Sequence, residues 1–102
     1  MTYNSFDPFE WDSEKAISNF KKHGIDFYEA STIWSDANGI DLMNNDETDE
    51  IRWIRIGYSI KTRLLIAVYV ENYFGSIRLI SSRKATMKEQ QYYNFNLKMV
   101  IL

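Results

Sequence analysis

The stretch EIRWIRIGYSIKTRLLIAVYVENYFGSIRLISSRKATMKEQ, residues 50–90, decides the fold. Within it, residues 50–60, 63–71 and 76–83 are rich in Ile, Val, Tyr and Trp, and the connections between them are too short for anything but hairpins. They predict an antiparallel meander, extended to a fourth strand if residues 39–43 join it. Thr86 then opens a helix, because Glu89 three residues on completes a capping box, and Tyr92, Phe95 and Met99 recur at a spacing suited to packing on the sheet.

Working outward, residues 9–11 (FEW) read as a short strand, and Asp12-Ser13 offers an N-cap for a helix carrying Ala16, Ile17 and Phe20. His23-Gly24 closes that helix, with a cation at its negative end and a glycine free to turn left-handed. Asp26 and Glu29 start a second helix with Phe27, Ala30, Ile33 and Trp34 on one face, ending near Trp34. Residues 44–49 form a polar, acidic loop expected to be the most mobile part of the chain. A strand, two helices, three or four strands and a helix make an α+β domain with grouped helices. A chain of 102 residues fits one such domain over 1–102.

With 45% apolar and 16% aromatic residues, the chain can bury a substantial core, so disorder throughout is excluded. The absence of cysteine excludes disulfides, thiolate metal sites and a catalytic thiol. No apolar run approaches the roughly 20 residues that span a bilayer, and the start MTYNSFDPFEWDSEK lacks the pattern of a secretory signal, so a cytoplasmic protein without membrane partners is expected. The net charge of −2 conceals a division. Residues 1–50 carry twelve acids and three Lys, a net −9, whereas residues 51–102 carry nine Lys and Arg and two acids, a net +7. Such polarity fits a basic face that meets phosphate, or two halves that neutralise each other across the fold.

Strand alternation places Arg52 with Ile54, Ile56 and Tyr58, Arg63 with Leu65, Ala67 and Tyr69, and Arg78 with Ile80; Arg83 leaves the last strand. Guanidiniums on neighbouring strands form an anion-binding surface, unless they pair with the acidic loop or guard the sheet edges. His23, the only histidine, is either a helix cap or a group that exchanges a proton near neutral pH. Lys22 beside it is a phosphate contact or an ordinary solvated lysine, and Lys84 beside Arg83 adds to the positive potential of the basic face. Trp11, Trp34 and Trp53 fit core positions better than base-stacking ones. No ligand spacing points to a metal, and no cofactor motif is present.

Three blocks give these residues a context. They are Phe9-x-Trp11-Asp12-x-x-Lys15-x-x-x-Asn19-x-x-Lys22-His23-Gly24-Ile25-x-Phe27-x-Glu29-Ala30; Arg52-Trp53-x-x-x-Gly57, with Arg63-Leu64-Leu65 leading to Val68-Tyr69-x-Glu71; and Arg78-x-Ile80-Ser81-x-Arg83-x-Ala85-Thr86-x-x-Glu89-x-x-x-Tyr93. From Phe9 to about Tyr93 the sequence resembles the BrnT toxins of prokaryotic type II toxin–antitoxin pairs. The resemblance implies a RelE-like fold, metal-independent RNA cleavage that inhibits translation, and neutralisation by a BrnA-type, DNA-binding antitoxin, in a hetero-oligomer or with the toxin itself dimeric. On that reading His23, Arg63 and Arg78 converge as the catalytic group, while Lys22, Arg52, Arg83 and Lys84 place the RNA. The rival reading is a module that only grips an antitoxin-like partner and cleaves nothing.

Overall fold

The computed structural model describes residues 3–6, 8–44, 51–72 and 74–101, with 3–6 and 98–101 described by backbone alone. The strands are β1 (Tyr3–Phe6), β2 (Phe9–Asp12), β3 (Ile40–Asn44), β4 (Arg52–Tyr58), β5 (Leu64–Glu71) and β6 (Ile77–Lys84). The helices are α1 (Ser13–His23), α2 (Phe27–Ser31), which tightens into a 3-10 turn at Thr32–Ser35, and α3 (Met87–Ile101). The acidic loop expected to be mobile falls, from residue 45 to 50, outside the described residues.

The fold is α+β, and its sheet runs β1-β2-β6-β5-β4-β3. Strands β3 to β6 form the antiparallel meander read from the sequence, and β3 is the fourth strand. The N-terminal strand behaves differently. β2 lies parallel to β6, with Phe9 opposite Ile77 and Trp11 opposite Leu79, so the sheet is mixed. Hairpin logic could not foresee this pairing, which buries Trp11 against the same layer as Leu79 across an intervening stretch that holds α1, α2 and strands β3 to β5.

Two cores follow from strand alternation. On one face, Trp11, Leu65, Ala67, Tyr69 and Leu79 pack under Ile25, Phe27, Ala30 and Ile33 of the α1–α2 layer. On the other, Ile56 and Ile66 pack with Ala85 and Tyr93, joined by Ile40, Ile54, Leu64 and Leu97. The phase of α3 therefore differs from the expectation: Tyr93 is buried, whereas Tyr92 and Phe95 face solvent, and the Met99 side chain lies outside the described residues. The Tyr93 hydroxyl donates at 2.6 Å to Asp36, fixing that phase.

The α1 helix is set by its ends. The Asp12 carboxylate accepts the Glu14 N–H at 3.0 Å, and Gly24, at φ 72°, donates its N–H to the Phe20 carbonyl at 2.8 Å. Its inward residue is polar. Asn19 is 6% exposed and bonds the Ile25 carbonyl and both backbone groups of Ser82 on β6 at 2.9–3.0 Å, while Ile17 and Phe20 point outward.

Candidate active site

Helix α1 carries His23 one turn beyond Asn19, and Asn19 is pinned to Ser82, so the C-terminus of α1 sits over the C-terminal half of β6. The next β6 residue on that face is Lys84, opposite Leu65. Arg63 precedes Leu65 by two residues, and its Nη2 donates to the Gly24 carbonyl at 3.4 Å, immediately after His23. Half-buried His23, exposed Lys22, Arg63 and exposed Lys84 thus gather at one end of the helix-covered face.

What holds Arg63 there is Glu29, a residue the sequence reading used as a helix-start signal and as part of the first family block, with no role at the site. Asp26 Oδ1 accepts the Glu29 N–H at 2.7 Å, which starts α2, but the Glu29 carboxylate turns into the sheet. It receives Arg63 Nε at 2.8 Å and Arg63 Nη2 in a fork, and Ser59 Oγ donates to it at 2.7 Å. Glu29 is 3% exposed, and the Arg63 guanidinium beside it, helped by the Ser59 hydroxyl, holds its carboxyl below the ordinary value despite burial. A guanidinium has five donors, and these bonds occupy Nε and Nη2. Among the described residues Nη1 has no hydrogen-bond acceptor, on a side chain 30% exposed.

The remaining arginines lie elsewhere, which corrects the expectation of one convergent group. Arg78 pairs with Val70, and Lys84 with Leu65, so Arg78 lies five residues, or about 17 Å, along β5 from the Arg63 end. Alternation also turns Arg78 to the opposite face of the sheet from Leu65 and Arg63. Arg63, Arg78 and His23 cannot bracket one phosphate. Arg52 shares the Arg78 face, with Ile54, Ile56 and Tyr58 as expected, and so does Arg83, opposite Ile66. Arg83 forms a two-pronged pair with Glu89 at 2.8 and 2.9 Å. Glu89 also accepts the Thr86 N–H at 2.8 Å while Thr86 Oγ1 accepts the Glu89 N–H, so the expected capping box is formed and Arg83 is tied into it. Arg83 holds the Glu89 carboxyl down at about 2.

Arg55, to which the sequence assigned no role, is structural. It bonds Asp41 at 2.6 Å and the carbonyls of Ile33 and Asp36, and lies 5.5 Å from the centre of the Trp34 ring. Gly39 makes room for it, since a Cβ there would come within 2.4 Å of Nη2. Trp11 is buried and Trp34 and Trp53 pack against the same core, in keeping with their expected packing role. Among the described residues no three His, Asp or Glu side chains gather as a metal-ligand set, and no helix is long and apolar enough to cross a membrane.

The sequence matches, over residues 11–89, the family described as "Ribonuclease toxin, BrnT, of type II toxin-antitoxin system". No curated protein sequence matches the chain significantly. Among solved structures, the fold is similar to that of the Brucella abortus ribonuclease toxin BrnT, with a TM-score of 0.56 and 23% identity, covering 76% of this chain and 94% of that one.

Proposed function

The chain belongs to the BrnT family of type II ribonuclease toxins, and from the placement of His23 beside Arg63 we propose that it is a metal-independent endoribonuclease acting at the α1 C-terminus. The observation that carries this reading is the Arg63 fork: a buried carboxylate orients a guanidinium onto the Gly24 carbonyl, one residue after the chain's one histidine. In the reaction, the ribose 2′-oxygen bonds to the adjacent phosphorus as the bond to the 5′-oxygen breaks, leaving a 2′,3′-cyclic phosphate and a 5′-hydroxyl. His23 carries the proton at one of these oxygens, and Arg63 Nη1 stabilises the negative charge that builds on the phosphorane. Lys22 and Lys84 hold the flanking backbone. Glu29 touches no substrate and acts by positioning Arg63. Cleavage of RNA, at or away from the ribosome, inhibits translation, and an antitoxin of the BrnA type restrains it.

The test is cleavage of a defined RNA by the purified chain in excess EDTA over a range of salt. Cleavage is expected to persist in EDTA and to weaken as salt rises, because lysine and arginine contacts to phosphate are screened. Loss in EDTA with recovery on added divalent ion would overturn the mechanism.

A further inference from the structure

The register leaves a second cationic feature that the proposed reaction does not use. Asn44 pairs with Arg52, and Glu10 with Arg78; the β4–β5 register carries Arg52 opposite Val70, which pairs with Arg78. On the face opposite His23, the row is therefore Asn44, Arg52, Val70, Arg78, Glu10. The two arginines stand two strand spacings apart, about 10 Å between Cα atoms, which lets their side chains converge over Val70. Val70 is 8% exposed between them, and the next row on this face is the half-buried pair Ile54 and Val68. Arg52 Nε is enclosed and, among the described residues, has no hydrogen-bond acceptor. A buried charged donor without an acceptor is costly, and a carboxylate on the neighbouring guanidinium nitrogens offsets that cost.

We infer that this row docks a protein partner through an acidic segment, with one carboxylate placed between Arg52 and Arg78 and apolar side chains laid on the half-buried Val68 and Ile54. The inference rests on the reading of the His23 end as the catalytic one, and it names the surface by which the antitoxin of the system holds this chain. Charge complementarity selects a peptide over RNA. The row holds two guanidiniums and is bordered by apolar residues, whereas RNA needs a continuous cationic track. Arginines beside buried apolar side chains are the usual anchors of protein interfaces. Because the row lies on the other face from His23 and at the other end of β5, partner grip and catalysis use separate residues.

The experiment measures two quantities on the full chain: affinity for a purified BrnA-type antitoxin, by titration calorimetry, and RNA cleavage without antitoxin. Arg78→Glu and Arg52→Glu are each expected to raise the antitoxin Kd at least 30-fold and to leave cleavage within about 3-fold, the retained cleavage showing that the variants fold. Where a reversal does not fold, Arg78→Gln and Arg52→Gln are expected to shift Kd about 10-fold in the same direction. Antitoxin affinity unchanged in both arginine variants overturns the inference, as does a loss of RNA binding with antitoxin affinity intact, which would make the row an RNA groove. Arg63→Ala separates the two readings. Its expected result is lost cleavage with unchanged antitoxin affinity, and retained cleavage would count against the catalytic assignment while leaving the docking row standing.

Discussion

Glu29 and Asn19 are polar side chains with almost no access to water, and both spend every described bond on the end of the molecule that carries His23. Glu29→Gln removes the charge that orients Arg63 and turns one acceptor oxygen into a donor facing a guanidinium. Cleavage is expected to fall at least 10-fold, through kcat more than KM, which corresponds to about 1.4 kcal/mol or more of lost transition-state stabilisation. Glu29→Asp, which keeps the charge, recovers part of it. Asn19→Ala leaves the Ile25 and Ser82 carbonyls and the Ser82 N–H without their partner, at a cost of about 2–4 kcal/mol of stability in denaturant titration. The sequence named His23, Lys22, Arg63 and Lys84, but it hid Glu29, because a glutamate at the third position of a helix reads as a cap. Only the fold reveals that its carboxylate turns inward to Arg63. A buried position for an acid between Tyr28 and Ala30 was the available signal, since Phe27 and Ala30 flank it on the core face.

At the level of elements, helix starts and meander strands were legible because each rests on neighbours in sequence: the Asp12 cap, the Thr86–Glu89 box and the runs of β-branched residues. The parallel pairing of β2 with β6 was not, since it joins residues far apart in the chain. The inward faces of α1 and α3 misled for a related reason. Apolar spacing favoured Ile17, Phe20, Tyr92 and Phe95, but a hydrogen-bonded Asn19 and a Tyr93 tied to Asp36 decide the rotation of each helix. The capping of α3 also sets a pH dependence. The Glu89 carboxyl lies at about 2 in the fold against an ordinary 4.5, so the unfolded chain binds the extra proton between these values. Its contribution to stability is complete above about 4.5 and is lost as pH falls toward 2, and the depressed Glu29 adds loss in the same direction. Thermal melting of the wild type is expected to fall across this window, and Glu89→Gln, already without the charge, to melt lower at pH 7 and with a shallower dependence on acid.

The whole molecule divides its positive charge between two faces of one sheet. The opposed charges of the two halves, −9 before residue 51 and +7 after it, suggested a single basic surface. The folded chain instead neutralises part of each half internally, through Glu29 with Arg63 and Asp41 with Arg55, while strand alternation places Arg52, Arg78 and Arg83 on the face opposite Arg63. Parity along β5 was readable from the sequence, but parity along β6 was not. What could not be read was the pairing that sets Lys84 beside Leu65 and Arg78 beside Val70, because a bulge between Val68 and Tyr69 shifts the register midway. The central claim is that RNA is cut at the helix-covered end, by His23 with Arg63, and not at the Arg52–Arg78 row. The most direct test compares single-turnover cleavage of one RNA by His23→Ala, Arg63→Ala and Arg78→Ala, all confirmed as folded by circular dichroism. The account predicts at least a 100-fold loss for the first two and less than about 3-fold for Arg78→Ala; a large loss for Arg78→Ala with near-normal cleavage by Arg63→Ala would contradict it.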